Sequence, residues 1–321
     1  MAGTARAPGT AGTARGPGTA GTARGPGTAG TARGPGTAGV ARLPDMAGMA
    51  RGPGVAGVMD DVAHLAALRR ESDAADLARA LAFLRGFARR RAPREVPVPG
   101  GVAVLDERYP GSYDDNRLLV WEPAEPDEVL RAADEVLTGH AHRLVTVADD
   151  RLGETFAPAF ARAGYAHEVH LVMAFRGAVP EDPPPAEPLE TAELMEVLRR
   201  DWRRSLPEAG EEVVEALARR VENRVAGADR VLFRGVRAPG GELAARADLY
   251  LHGGVAQIED VWTAEEHRGR GHARALLSAL LAEAAGAELI FLVADAADWP
   301  KDFYARLGFA EVGRTHSFQR A

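Results

Sequence analysis

The sequence contains no cysteine, which excludes disulfides, thiolate metal sites and a cysteine nucleophile, and fits a reducing compartment. No apolar run approaches the ~18 residues of a membrane span, and no basic head followed by an apolar core marks a secretion signal. Aromatic residues make up only 6% of the chain, and none falls in residues 1–58. Acids are nearly missing from that stretch too: six arginines against the single Asp45 give it +5, so the remainder of a chain with net charge −7 carries −12. That remainder has the balance of a soluble globular protein, and 321 residues suffice for two domains of ordinary size. A cytoplasmic protein, monomer or homodimer, is expected.

Residues 1–58 are copies of a nine-residue unit: AGTARAPGT, AGTARGPGT three times, then AGVARLPDM and AGMARGPGV. Such units bury too little apolar surface to offset the entropy of ordering, so disorder is expected. The near-perfect repetition suggests a translated DNA repeat, with Met46, Met49 or Met59 as the natural start. Sparse charge without aromatics makes nucleic acid a poor partner for this tail.

From residue 60 the leucines at 65, 68, 77, 81 and 84 recur at helical spacing, giving one or two helices that end in a basic turn. Short apolar runs then read as strands at GGVAVLDERYP, NRLLVWEP, HRLVTVAD and HEVHLVMAFRG, with helices at DEVLRAADEVLTG and ETFAPAFARAGY between them. Residues 177–188, with five prolines and three acids, read as an extended linker between a domain at 59–176 and another at 189–321. The second stretch holds two amphipathic helices, two strands meeting at Pro239-Gly240-Gly241, a strand at 254–263 and a helix beyond it. An apolar strand ELIFLVAD, a short helix and a last strand close the chain. His140, His142, His167 and His170 fall on different elements with no acidic ligand at a metal-binding spacing, so no metal is expected.

The most informative stretch is 255–281, a strand, a basic loop and a helix in succession. Gly269 and Gly271 permit sharp turns and leave backbone N–H groups uncovered, and the helix that follows adds its unpaired first-turn N–H groups and the positive end of its dipole. With Arg268 and Arg270 these groups form an anion cradle suited to phosphate or pyrophosphate. A dinucleotide-binding G-x-G-x-x-G is excluded, because Arg274 stands where the third glycine belongs.

Arg268, Gly271 and Ala273 satisfy R-x-x-G-x-[GA] between a strand and a helix, and FYARLGF follows at 303–309. This ordered set resembles the GCN5-related N-acetyltransferases (GNAT). The resemblance implies an α/β (α+β) acyltransferase fold, a mixed central sheet flanked by helices, with two such domains in tandem. It also implies acetyl-coenzyme A as cosubstrate, no metal, and an amine as acceptor, attacked directly in a ternary complex. Position by position, the backbone of Val261, Trp262 and Thr263 would pair with the pantetheine arm. Arg268, Gly269, Arg270, Gly271, His272 and Ala273 would hold the pyrophosphate, and Tyr304 would protonate the departing thiolate. An ammonium must lose a proton before it can attack, and relatives recruit a carboxylate from the strand before the loop, where Glu259 and Asp260 stand. Strand alternation puts one of them in the cleft, and Glu259 is preferred, on the same face as Val261; His252 is a weaker candidate. Asp298 stands where many relatives carry asparagine. In the first half FARAGY echoes FYARLGF, but AEPDE is acidic and lacks glycine, so 59–176 reads as a degenerate domain that shapes the acceptor cleft. Two rivals remain: a non-catalytic acyl-coenzyme A sensor, and a nucleic-acid-associated protein acting through the tail.

Overall fold

The computed structural model describes residues 55–321, with side chains from Ala67 onward; the expectations for the repeat up to residue 54 lie outside the described residues. The leucine pattern after residue 60 is one helix, α1 (Val55–Arg91), followed by β1 (Arg94–Val98), β2 (Gly101–Leu105) and β3 (Arg117–Val120). Then come α2 (Pro126–Val136), β4 (Arg143–Val147), α3 (Asp150–Arg162) and β5 (Ala166–Phe175). Residues Glu187–Pro188, the end of the expected linker, form the short strand β6, paired antiparallel to β7. Helices α4 (Thr191–Ser205) and α5 (Glu211–Arg224) precede β7 (Arg230–Arg237), β8 (Leu243–His252) and β9 (Val255–Thr263). The chain ends with α6 (His272–Glu283), β10 (Leu289–Asp295), α7 (Pro300–Arg306) and β11 (Phe309–Arg320).

All of the strands join one sheet, in the order β1-β2-β3-β4-β11-β5-β10-β9-β8-β7-β6. The order reads almost the same from either side of the β11/β5 pair. Each half supplies an antiparallel meander and one parallel pair, β3 with β4 and β9 with β10. Each half's last strand then lies beside the other half: β5 pairs with β10 across Phe291↔Ala174 to Asp295↔His170, and β11 pairs with β4 across His316↔Val147 to Arg320↔Arg143.

The pleat sorts the cores. Leu171, Met173, Leu249, Ile258 and Leu292 point to one face, under Leu276, Leu277 and Leu280 of α6 and Tyr304 of α7. On the same face Phe318 of β11 packs with Phe156 and Phe160 of α3 and Val129 of α2. The opposite face is covered by Ala80, Phe83 and Phe87 of α1, which pack on Val172, Ala174, Tyr250 and Phe291. The buried apolar side of α4 and α5 covers Phe233 beside them. The echo between FARAGY and FYARLGF is structural: Gly164 (φ 82°) and Gly308 (φ 100°) both take the left-handed conformation just past α3 and α7. Only glycine enters that region without strain, and it ends a helix by turning the chain back.

Candidate active site

Strands β9 and β10 pair in parallel for only three residue pairs, Val255↔Leu289 to Gln257↔Phe291, although β9 runs on to Thr263. Beyond Gln257 the β10 side of β9 carries no strand partner, while its other side stays paired to β8 as far as Thr263. The equivalent pair in the first half does not part in this way. There β3 and β4 stay paired to Val120↔Val147, and the Ala148 N–H bonds on to the Val120 carbonyl at 2.8 Å.

Where β9 leaves β10 it also carries a bulge. Register jumps from Asp248↔Glu259 to Arg246↔Trp262, and Asp260 takes φ 54°, the one positive φ among the described non-glycine residues. Aspartate tolerates this region better than most residues, and two guanidiniums pin it: Arg224 at 2.8 Å and Arg246 at 2.7 Å. Arg224 also binds Asp248 at 2.6 Å, and Tyr250 donates its hydroxyl to that carboxylate at 2.6 Å. Each charge in this buried set has an opposite partner, which is what keeps a buried ion tolerable.

The bulge corrects one expectation. With a residue added, alternation breaks at 260, so Glu259 and Asp260 both face the α1/α4/α5 side, while Val261 joins Ile258 on the α6 side. Glu259 is therefore not on the face of Val261, and the two acids are not divided between faces. Asp260 is consumed by its ion pairs, whereas Glu259 accepts a hydrogen bond from Gln257 Nε2 at 2.6 Å and lines a cavity. Burial, then the neighbouring charges of Asp260 and Asp114, push its carboxyl up to about 8, against the opposing pull of Arg224.

Past β9, a short 3-10 turn at Glu265–His267 leads into the exposed loop. Gly269 (φ 73°) and Gly271 (φ 86°) are left-handed, and Gly271 is the N-cap of α6 with no side chain covering the helix end. Ala275 is the residue whose N–H reaches back to the Gly271 carbonyl, so the N–H groups of His272, Ala273 and Arg274 come before the helical ladder begins. Arg268 Nε lies 3.4 Å from the Thr263 carbonyl, which ties the loop to the end of β9.

Tyr304 is 3% exposed, edge-on to Phe309 and next to the α6 leucines. Burial raises its hydroxyl above the usual phenol range, and the charge of Glu259 raises it further. His252 belongs to the far end of β8, 2.9 Å from Asp229 and outside the cavity lining. Asp298 turns its carboxylate back onto the Trp299 N–H at 2.7 Å. Of the other histidines, buried His142 stacks on Tyr113 and is pushed down to about 4 by burial, while His167 meets His316, which meets Asp150. Among the described residues no group of three His, Cys, Asp or Glu could hold a metal ion.

Glu259 opens onto a cavity of ≈570 Å³ on the α1/α4/α5 side of the sheet. Its lining includes Leu81 and Phe87 of α1, Trp202 of α4 and Val293 of β10, together with Thr146, His170 and Ser317 from the interleaved strands. Both halves thus build one cavity. Sequence reading missed Arg224, Arg246, Asp248 and Gln257; the charges at alternate positions of AARADLYL, inside an otherwise apolar strand, were the signal. Nothing local in the sequence could reveal the strand exchange that brings Ser317 beside His170.

Residues 191–309 match the model of the acetyltransferase (GNAT) family. Among solved structures, the chain is similar to a functionally unknown conserved protein from Staphylococcus epidermidis ATCC 12228, with a TM-score of 0.56 and 14% identity over 71% of this chain and 93% of that one. It is also similar to a GCN5-related N-acetyltransferase from Kribbella flavida, with a TM-score of 0.52 and 20% identity over 75% of this chain and 94% of the other. At these identities the likeness is one of fold. No curated protein sequence matches the chain.

Proposed function

Because residues 191–309 match the model of the acetyltransferase (GNAT) family, we propose that this chain moves an acetyl group from acetyl-coenzyme A to an amine, with one active site, in its second half. The observation that carries this reading is the juxtaposition of a strand edge left open beyond Gln257, an uncapped glycine-rich helix start, and a carboxylate facing a cavity. The backbone of Val261, Trp262 and Thr263 holds the pantetheine arm as an added strand would, and the N–H groups of residues 268–273 hold the pyrophosphate. The first half keeps β3 and β4 closed and starts α2 after Glu125 with no glycine, so it serves as scaffold and cavity wall.

Glu259 takes a proton from the incoming ammonium, and the neutral amine attacks the thioester carbonyl as the carbon–nitrogen bond forms. The carbon–sulfur bond then breaks, and the thiolate takes the Tyr304 hydroxyl proton; the surplus proton on nitrogen restores the phenol. The two groups are coupled. Burial holds the Tyr304 proton most strongly and the Glu259 charge adds to it, so neutralising Glu259 removes the smaller of the two and eases release from the acid. Positioning in a shared cavity supplies the rest of the rate.

The direct test follows thiol release from acetyl-coenzyme A across a panel of amines, with coenzyme binding measured by calorimetry. Silence across the panel together with no binding defeats the proposal. Tyr304→Phe is expected to lower kcat by about 10²-fold with the coenzyme affinity kept; unchanged turnover would remove Tyr304 as the acid and favour a coenzyme sensor. Gly271→Ala places a Cβ at φ 86° where it meets no atom within 4 Å, so its cost is backbone strain alone, about 1–2 kcal/mol. Urea unfolding should show that loss, and the KM for coenzyme should rise while kcat is retained.

A further inference from the structure

The loop between β2 and β3 is polar, yet Asp106, Ser112, Asp115 and Asn116 in it are buried. Its own side chains fix its shape. Ser112 donates its hydroxyl to Asp115 at 2.5 Å, and the Asn116 amide donates to the carbonyls of Tyr109 and Ser112 at 2.8 and 3.1 Å. The Asn116 side-chain oxygen accepts the Asp106 N–H at 2.9 Å. Buried backbone groups demand such partners.

The charges of this first-half loop are directed onto α5 of the second half. Arg220 Nε bonds Asp115 at 2.9 Å and Arg220 Nη2 bonds Asp114 at 2.7 Å, while Arg91 of α1 holds the other Asp115 oxygen at 3.1 Å. Asn223 donates to Asp106 and to Asp115, both at 3.3 Å. One helical turn beyond Arg220 stands Arg224, the residue that binds Asp248 and Asp260 and so pins the bulge next to Glu259. Ion pairs therefore run without a break from the first half to the proposed base.

Asp114 is only half-buried and lines the same cavity as Glu259. Glu259 is surrounded by Asp260 on its own strand, Asp248 directly opposite on β8, Arg224 on α5 and Asp114 from the loop. Arg246 is engaged by Asp260, and Glu168 and His170 of β5 line the cavity beyond β10. Tyr250 of β8 and Tyr304 of α7 add no charge near neutrality, because burial raises both phenols. Burial would raise the Asp114 carboxyl too, but Arg220 and Arg117 bring it below the usual range, so it stays charged wherever Glu259 titrates.

Resting on the acetyltransferase reading for its chemistry, we propose that Asp114 of the first half is a positioning residue for the base of the second: it holds Arg220, and through α5 Arg224, against the bulge, and it presents its negative charge to the cavity that Glu259 lines. The half without a coenzyme cradle thus regulates the half that has one.

The test follows Glu259 in the full chain by carbon-13 NMR of glutamate carboxyls, as the resonance that Glu259→Gln loses, and follows thiol release against pH with whichever amine turns over best. Asp114→Asn should lower the midpoint of about 8 by about half a pH unit or more in both measurements, with the affinity for acetyl-coenzyme A kept. Asp114→Glu should restore it. Arg117→Gln, which removes a guanidinium 3.6 Å from Asp114, should move the midpoint up. A fold merely loosened by either substitution would admit water to Glu259 and move both midpoints down, so the opposite signs separate electrostatic control from damage. Glu107→Gln removes an exposed charge of the same loop that pairs with Arg94 at 3.3 Å, and should leave the midpoint in place. An unmoved midpoint in Asp114→Asn, shifts of the same sign in Asp114→Asn and Arg117→Gln, or an equal shift in Glu107→Gln overturns the proposal. Thiol release with an unmoved midpoint overturns it alone; a moved NMR midpoint without thiol release from any amine and without coenzyme binding defeats the acetyltransferase reading and keeps the link between Asp114 and Glu259.

Discussion

Glu259→Gln is expected to lower kcat/KM for every amine by about 10²- to 10⁴-fold, the contribution of a positioned general base, and to flatten the pH profile. The second half of that expectation is the more diagnostic. Glu259 is held up to about 8, so at neutral pH most molecules carry it protonated and unable to accept the amine's proton. Wild-type activity should therefore rise with pH through about 8 and level off above it; in Glu259→Gln that step vanishes. The same carboxyl makes a prediction about stability, with the sign set by linkage. Between its unfolded value near 4.5 and about 8, the folded chain holds a proton that the unfolded chain has released. Stability attributable to this group thus falls as pH rises across that window, and Glu259→Gln should unfold at higher urea than wild type at pH 9. A variant as sensitive to alkali as wild type would show that Glu259 is not the buried acid described here.

Cutting the chain within residues 177–186 and producing the two pieces separately should yield no folded protein from either, whereas producing them together should yield a complex that purifies as one and unfolds in one transition. The reason is the exchange of last strands. The second piece alone lacks β5, which fills the gap between β10 and β11, and the first alone lacks β11, which fills the gap between β4 and β5. Each piece would expose two strand edges and half of a hydrophobic core, a state prone to aggregate. Phe318 tests the same point with one side chain. It is fully buried among first-half residues Phe156, Phe160 and Val129, so Phe318→Ala should cost about 3–5 kcal/mol and loosen a core to which its own half contributes little else. Circular dichroism and co-purification read the first outcome, and chemical denaturation the second. Independently folded pieces would contradict the interleaved sheet.

The elements were legible because their signals are local. The leucine spacing of α1, the glycines that close α3 and α7, and the strand–loop–helix run around Gly269 and Gly271 each need only a short window of sequence. The bulge was not legible. Asp260 looks like any strand residue until Arg224 and Arg246, from another helix and another strand, hold it at φ 54°. Alternation then misassigned the face of Val261. The cavity was out of reach for a related reason: His170 and Ser317 are brought together by pairing between residues far apart in the chain, and no periodicity encodes which strand a segment will choose as neighbour.

The reciprocal placement of β5 and β11 also bears on descent. A protein of one such half, two copies of which traded their final strands, would have the same strand order once the copies were fused end to end. In such a fusion neither half could be deleted, because each still borrows a strand from the other. Selection on either half is thereby enough to preserve the other.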